Sequence, residues 1–419
     1  MKNNYNLLET IACFGIFSAS LTVYVCFAQN RNKALDDSLY EENKQESWTD
    51  AQGGYEALIG NTPLVRLDKL SKLVRCNIWI KMESFNPGGT GKDRAALAML
   101  KKAESHLVTH VVEGTSGSTG IALAALCASR GYKLTIVMPD DQAKEKQQLL
   151  RQMGATVEVV PNCAISNPNH YVNTARRIAE KLNQIQGVRA VFMNQFENEA
   201  NWRAHYTTTG PEIYRQTKGN LDAFVMSSGT GGTISGVGKY LKEHSIKPIK
   251  VVLVDPPGSS LYAKVKFGVA YTSQQRERTL KRHRYDTIAE GIGLDRVTAN
   301  FSVAVDNNLI DDAIQVSDQE AVDMAHWLLR EEGLFVGSSS AMNVVGAVQT
   351  AKIFQDHQAN IVTLICDSGQ RHMTRFWNPQ FIKESGLIWP GDTNTNAHTT
   401  SENEETSTPV TPQCLQGLS

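Results

Sequence analysis

Charge of one sign is missing from this chain: 42 Lys and Arg stand against 43 Asp and Glu over 419 residues, a formal net charge of −1. Without a basic excess there is no global field to gather nucleic acid or another polyanion, so small molecules become the expected ligands. Cysteine pairing is missing too. The seven cysteines, Cys13, Cys26, Cys76, Cys127, Cys163, Cys366 and Cys414, show neither CxxC spacing nor a Cys/His cluster. That argues against a structural metal and a disulfide framework and for a reducing compartment, so no metal is expected. Cys127 and Cys366 sit within apolar runs and read as core residues. No internal repeat is evident, so a solenoid is set aside.

Long hydrophobic runs are scarce, with one exception. Residues 10–28, TIACFGIFSASLTVYVCFA, carry no charge and would extend about 28 Å as a helix, enough to span a bilayer core. A cleaved signal peptide is the rival reading, but Lys2 is the sole lysine or arginine ahead of the run. A matrix transit peptide would be arginine-rich and amphipathic, which this segment is not. The expectation is an uncleaved anchor at 10–28 behind a short segment 1–9, followed by a polar tether over 29–52. The mitochondrial outer membrane is the expected location, with the endoplasmic reticulum membrane as runner-up. At the other end, residues 389–419 turn to Thr, Asn, Glu, Ser and Pro, and too few apolar side chains remain to offset chain entropy, so a disordered tail is expected.

Between these ends, short β-branched runs alternate with helical patterns: 110–112, 133–138, 156–160, 223–226, 250–254 and 361–365 read as strands. This predicts an α/β fold with mainly parallel sheets flanked by helices, and ligands outside the carboxyl ends of strands.

Three glycine-rich segments fall at helix starts. Ser227-Ser228-Gly229-Thr230-Gly231-Gly232-Thr233 follows a strand, and its amides can surround an anion at the positive end of the next helix. Nucleotide signatures fail there: Thr233 occupies the position of the first Walker A glycine and Ile234 that of the last Rossmann glycine. Glu113-Gly114-Thr115-Ser116-Gly117-Ser118-Thr119-Gly120 offers hydroxyls and amides suited to a carboxylate, although Ser and Thr also serve simply as caps. Asn86-Pro87-Gly88-Gly89-Thr90-Gly91-Lys92-Asp93-Arg94 sets a lysine at a helix start, against the macrodipole preference. Lys92 is therefore a candidate amine nucleophile toward a carbonyl cofactor, against the bland reading of a solvated lysine.

Taken together these segments resemble the cysteine synthase and cystathionine β-synthase family of fold-type II pyridoxal-5'-phosphate (PLP) enzymes. The likeness runs from Leu58 to about Arg375 and includes Ile59-Gly60-Asn61-Thr62-Pro63-Leu64, Gln195-Phe196, Glu290-Gly291-Ile292-Gly293, Gly337-Ser338-Ser339-Ser340-Ala341 and Asp367-Ser368-Gly369-Gln370-Arg371. The resemblance implies a tryptophan synthase β-like fold of two lobes, 85–198 and 53–84 with 199–388, and a homodimer. It implies that Lys92 carries PLP, that Gly229, Thr230, Gly231, Gly232 and Thr233 hold its phosphate, and that Ser339 faces its ring nitrogen. Thr115, Ser116, Thr119 and Gln195 would receive the substrate carboxylate. Ser118 stands where the family usually has an Asn that contacts the cofactor, a shorter side chain with one donor instead of two. The basic stretch 272–286 looks like an insertion.

The activity so implied is L-cysteine formation from O-acetylserine and sulfide, with Lys92 moving the substrate's α-proton. A neutral serine hydroxyl at the ring nitrogen favours direct β-elimination over transamination. Cystathionine β-synthase and cysteine desulfhydrase activities are the enzymatic alternatives, and a membrane-tethered scaffold on a degenerate fold is the non-enzymatic one.

Overall fold

The computed structural model describes residues 53–272, 287–354, 358–391 and 411–417. The anchor expected at 10–28, the tether over 29–52 and residues 273–286, all of the basic stretch but Thr272, lie outside them. No helix among the described residues is long and apolar enough to cross a membrane. Leu58–Ser419 make up one compact unit.

Among the described residues ten strands build two sheets: β1 (Leu64–Arg66), β2 (Asn77–Met82), β3 (His110–Gly114), β4 (Lys133–Pro139), β5 (Thr156–Val160), β6 (Ala190–Phe192), β7 (Ala223–Ser227), β8 (Lys250–Asp255), β9 (Asp312–Gln315) and β10 (Asn360–Ile365). The smaller sheet has the order β5-β4-β3-β6 and is parallel throughout. The larger has the order β1-β2-β10-β7-β8-β9, parallel except where β1 pairs antiparallel with β2. This is the expected α/β class of fold-type II, two mainly parallel sheets flanked by helices.

The central strands read as unbroken apolar runs because both of their faces are covered. Alternation still sorts their side chains. Ala223, Val225, Val252 and Val254 enter one core cluster, whereas Phe224, Met226, Val251 and Leu253 enter the other. Five helices matter for the site: α1 (Lys92–Glu104), α2 (Ser118–Arg130), α3 (Lys144–Gln152), α4 (Gly232–His244) and α5 (Ser338–Ala351). Helix α5 is buried along nearly its whole length, and a Cβ at Gly346 would lie 2.2 Å from Val254 Cγ2. Only glycine lets it lie this close to β8.

The tail departs from expectation at its far end. Gln413–Leu415 forms a 3₁₀ turn whose Cys414 and Leu415 are buried within the larger sheet's core. A composition average over 389–419 dilutes these two side chains, but burying both is what holds the turn in place.

Candidate functional site

The carboxyl ends of β3 and β7 and the amino end of α5 converge on one cleft of about 710 Å³, its open mouth included. Of the twelve residues singled out in the sequence, eleven line it: Lys92, Thr115, Ser116, Ser118, Thr119, Gln195, Gly229, Thr230, Gly231, Thr233 and Ser339. Gly232 does not. It packs against Asn201, whose Oδ1 would lie 2.0 Å from a Cβ there.

Lys92 opens α1, with its backbone amide 3.4 Å from Thr90 Oγ1. The preceding loop is tied down by Asp93, whose carboxylate accepts from the amides of Gly88 (3.0 Å) and Thr90 (3.3 Å). Burial pushes the Asp93 carboxyl up to about 7. One residue on, Arg94 is buried between two carboxylates, reaching Glu83 at 2.8 Å and Glu212 at 2.6 Å. Lys81 completes this cluster at 2.6 Å from Glu212. Burial raises the Glu212 carboxyl, but hydrogen bonds from Arg94 and Lys81 outweigh it and hold the group at about 2. The start of α1 is thus pinned by charges that would be costly to bury unpaired.

The loop after β3 turns sharply at Gly117, which has φ +138°. Its amide donates to Thr115 Oγ1 at 3.1 Å. Thr119 donates through Oγ1 to Gln195 Oε1 at 2.6 Å, and Gln195 Nε2 donates to the Gly114 carbonyl at 3.1 Å. Thr115, Ser116, Ser118, Thr119 and Gln195 line one side of the cleft, where they present hydroxyls and an amide. Beneath it, the buried Glu113 accepts from the Gln195 amide at 3.4 Å, and burial raises its carboxyl to about 8.

The loop after β7 is a cradle that glycine makes possible. A Cβ at Gly229 would lie 2.1 Å from the Gly291 carbonyl oxygen, and Gly231 has φ +87° beside Phe301. Asn201 donates to Thr230 Oγ1 (3.0 Å) and to the Gln195 carbonyl (2.8 Å), which ties this loop to the opposite wall. Thr233 meets His205 Nε2 at 3.2 Å. Burial lowers His205 to about 3, so the imidazole is neutral.

Ser339 is the second residue of α5 and is buried. Asn343, one turn on, accepts from the Ser227 amide at 2.7 Å and donates to the Leu364 carbonyl at 3.0 Å, locking α5 onto β7 and β10. Cys366 packs against the core as expected and also lines the cleft beside Ser339. Burial raises its thiol to about 11, which keeps it from acting as a thiolate nucleophile. Sequence reasoning also gave no role to Glu290. Its carboxylate is paired with Lys146, with Arg375 Nε (3.0 Å) and with His372 Nδ1 (3.6 Å). These partners lie far apart along the chain, so no local pattern announces them.

Comparison with known proteins finds relatives over most of the chain. Residues 55–367 match a family model described as pyridoxal-phosphate dependent enzyme. A Schizosaccharomyces pombe protein named cysteine synthase 2 is 48% identical over 367 residues, covering 85% of this chain and 90% of its own. A Saccharomyces cerevisiae protein, provisionally named a mitochondrial cysteine synthase, is 51% identical over 331 residues, covering 77% and 84%. Among solved structures, a hydrogen sulfide-producing enzyme from Fusobacterium nucleatum superposes with a TM-score of 0.64 at 32% identity, covering 77% of this chain and 99% of that one.

Proposed function

Since the chain belongs to the pyridoxal-phosphate dependent enzymes, we propose that it forms L-cysteine from O-acetylserine and sulfide by β-replacement. The observation that carries this reading is a single cleft lined by Lys92, the 115–119 wall with Gln195, the 229–233 cradle and Ser339. Its residues fit the cofactor. The cradle at the start of α4 offers backbone amides and hydroxyls, with Gly229 and Gly231 letting the loop pack closely on Gly291 and Phe301, the chemistry a phosphate ester requires. Ser227 Oγ is buried at the cleft without a protein partner. Lys92 would hold the cofactor covalently, Gly229, Thr230, Gly231 and Thr233 would take its phosphate, with Gly232 supplying close packing on Asn201, and Ser118 and Ser339 would meet its ring.

PLP supplies the electron sink that makes the substrate's Cα proton removable. The protein's own groups do the rest. Thr115, Ser116, Thr119 and Gln195 would grip the carboxylate and so fix Cα and Cβ relative to Lys92. Displaced from the cofactor by the substrate's own amino group, the freed Lys92 amine would take the proton from Cα as acetate leaves Cβ, and return it to Cα after sulfide has added at Cβ. Ser339 is uncharged and places no carboxylate on the ring nitrogen, which disfavours transamination. The names of the two fungal relatives support cysteine synthesis over a scaffold role.

The decisive assay supplies purified full-length enzyme with O-acetylserine, serine or O-phosphoserine, each with sulfide or homocysteine. Cysteine from O-acetylserine and sulfide is the expected principal product; cystathionine from serine and homocysteine at a higher kcat/KM would overturn the assignment. Lys92→Ala should abolish turnover and the visible absorbance of the lysine-bound cofactor. We also place the enzyme in the mitochondrion, a reading supported by the name of the yeast relative, and propose that residues 10–28 anchor it in the outer membrane. Imaging of a fusion of residues 1–52, with carbonate extraction, tests both; a freely soluble fusion or a stain elsewhere in the cell refutes the corresponding part.

A further inference from the structure

The mechanism leaves one buried cation next to the cleft without a role. Lys146 lies in the first turn of α3, on the smaller sheet's side, and its side chain is only 3% exposed. A lysine is seldom buried unless its ammonium is paired, and here it pairs with Glu290, equally buried on the opposite wall. The methylene stem has a second contact. A Cβ on Gly117 would lie 2.7 Å from Lys146 Cδ, so the stem lies directly behind the turn of the 115–119 wall. Glu290 is held in turn by Arg375, and its backbone amide donates to Ser338 Oγ at 3.3 Å. The next residue, Gly291, sets its carbonyl against Gly229 of the cradle.

One side chain therefore touches the wall expected to bind the carboxylate, and its ion-pair partner leads into the segment that abuts the cradle. We propose that Lys146 is a positioning residue that clamps the 115–119 wall to the Glu290–Gly291 segment and so sets the distance between the two loops across the cleft. The proposal rests on the assignment of residues 115–119 to the substrate carboxylate. Nearby contacts reinforce the junction without replacing the clamp: Arg375 donates to the Asp141 carbonyl at 2.6 Å, and the Thr374 amide to Glu145 at 3.1 Å. Because Arg375 and His372 remain beside Glu290 when Lys146 is changed, that carboxylate is not stranded and the fold should survive.

The test uses the full-length holoenzyme and follows the absorbance of its bound cofactor during titration with L-serine, and separately with 2-aminoethanol, which has the amine and hydroxyl but no carboxylate. Lys146→Met keeps the stem and removes the charge; Lys146→Arg restores a charge. With the wall displaced, Lys146→Met should weaken L-serine at least about tenfold, leave 2-aminoethanol unchanged and raise KM for O-acetylserine more than it lowers kcat. Lys146→Arg should recover most of the loss, with melting temperatures confirming that both variants are folded. Unchanged L-serine affinity in Lys146→Met overturns the clamp, and so does an equal loss for both amines, which would mean general loosening. A wild-type enzyme whose cofactor absorbance ignores L-serine and O-acetylserine alike would instead remove the proposed function itself, and the clamp with it.

Discussion

Arg94→Met is the sharpest test of how Lys92 is held in place. The guanidinium makes four short contacts, to Glu83 at 2.8 and 2.8 Å and to Glu212 at 2.6 and 2.8 Å. Methionine fills much of the volume and returns none of the charge. Glu212 would keep Lys81 at 2.6 Å, but Glu83, fully buried, would keep only neutral donors such as Thr62 Oγ1 at 2.7 Å. Breaking a buried pair from one side costs about 3–5 kcal/mol because the other charge is left uncompensated. At about 2 °C per kcal/mol for a chain of this size, that is a fall in Tm of about 6–10 °C. Differential scanning calorimetry at one scan rate, at pH 8, is the assay. Adding Glu83→Gln and Glu212→Gln to Arg94→Met should return part of the loss by removing the stranded charges. Acid supplies a second check. The Glu212 carboxyl sits at about 2 in the native protein, so its contribution is complete above about 4.5 and disappears as pH falls toward 2. The deficit of Arg94→Met should therefore shrink as pH is lowered through that window. A fall in Tm below about 2 °C at pH 8, or a triple variant less stable than the single one, would refute the reasoning.

Two further outcomes follow from the same geometry. Glu113 titrates near 8 when folded and near its ordinary 4.5 when unfolded, so between those values the native state holds a proton that the unfolded chain has lost, and stability falls as pH rises. Glu113→Gln should flatten, without abolishing, the decline in urea midpoint from pH 5 to pH 8, since Asp93 and Asp255, both near 7, act with the same sign; an unaltered decline refutes the assignment. Gly229→Ala would set a methyl 2.1 Å from the Gly291 carbonyl, an overpacking of about 1–3 kcal/mol, and should cost the enzyme most of its cofactor on dialysis, read from the absorbance left per mole of protein; full retention would mean that the cradle does not hold the phosphate.

What the sequence disclosed, and what it withheld, divides along chain separation. The β7 loop is legible because an apolar run, three glycines among four hydroxyl residues, and a helical pattern are adjacent, and local geometry then has few solutions. Lys92 is legible for a similar reason, as a cation at a helix start where the macrodipole opposes it. Ser339 has no such local mark and emerges only through resemblance. The groups that fix these residues were hidden: Arg94 and Glu212 are 118 positions apart, Lys146 and Glu290 are 144 apart, and periodicity carries no signal over such spans. Gly232 belongs to the same run, and its close packing on Asn201 is a contact that the run does not announce. Cys366 packs on the core as its apolar run suggests, but it lies one residue past the end of β10 and so also lines the cleft, which the run does not announce.

Ser118 offers a test in which fold and site separate cleanly. It is the first residue of α2, partly exposed and lining the cleft with Lys92. The cap of α2 is Gly117, without any side-chain capping bond, so Ser118→Asn removes no cap and should alter stability by no more than about 0.5 kcal/mol. Asparagine adds a second donor and greater reach at a position expected to meet the cofactor ring. The variant should therefore shift the absorbance maximum of the bound cofactor and slow its loss on dialysis, while the melting temperature of the cofactor-free protein stays put. Should the spectrum and retention both match the parent, Ser118 does not touch the cofactor, and its departure from the family's asparagine has no bearing on how the ring is tuned.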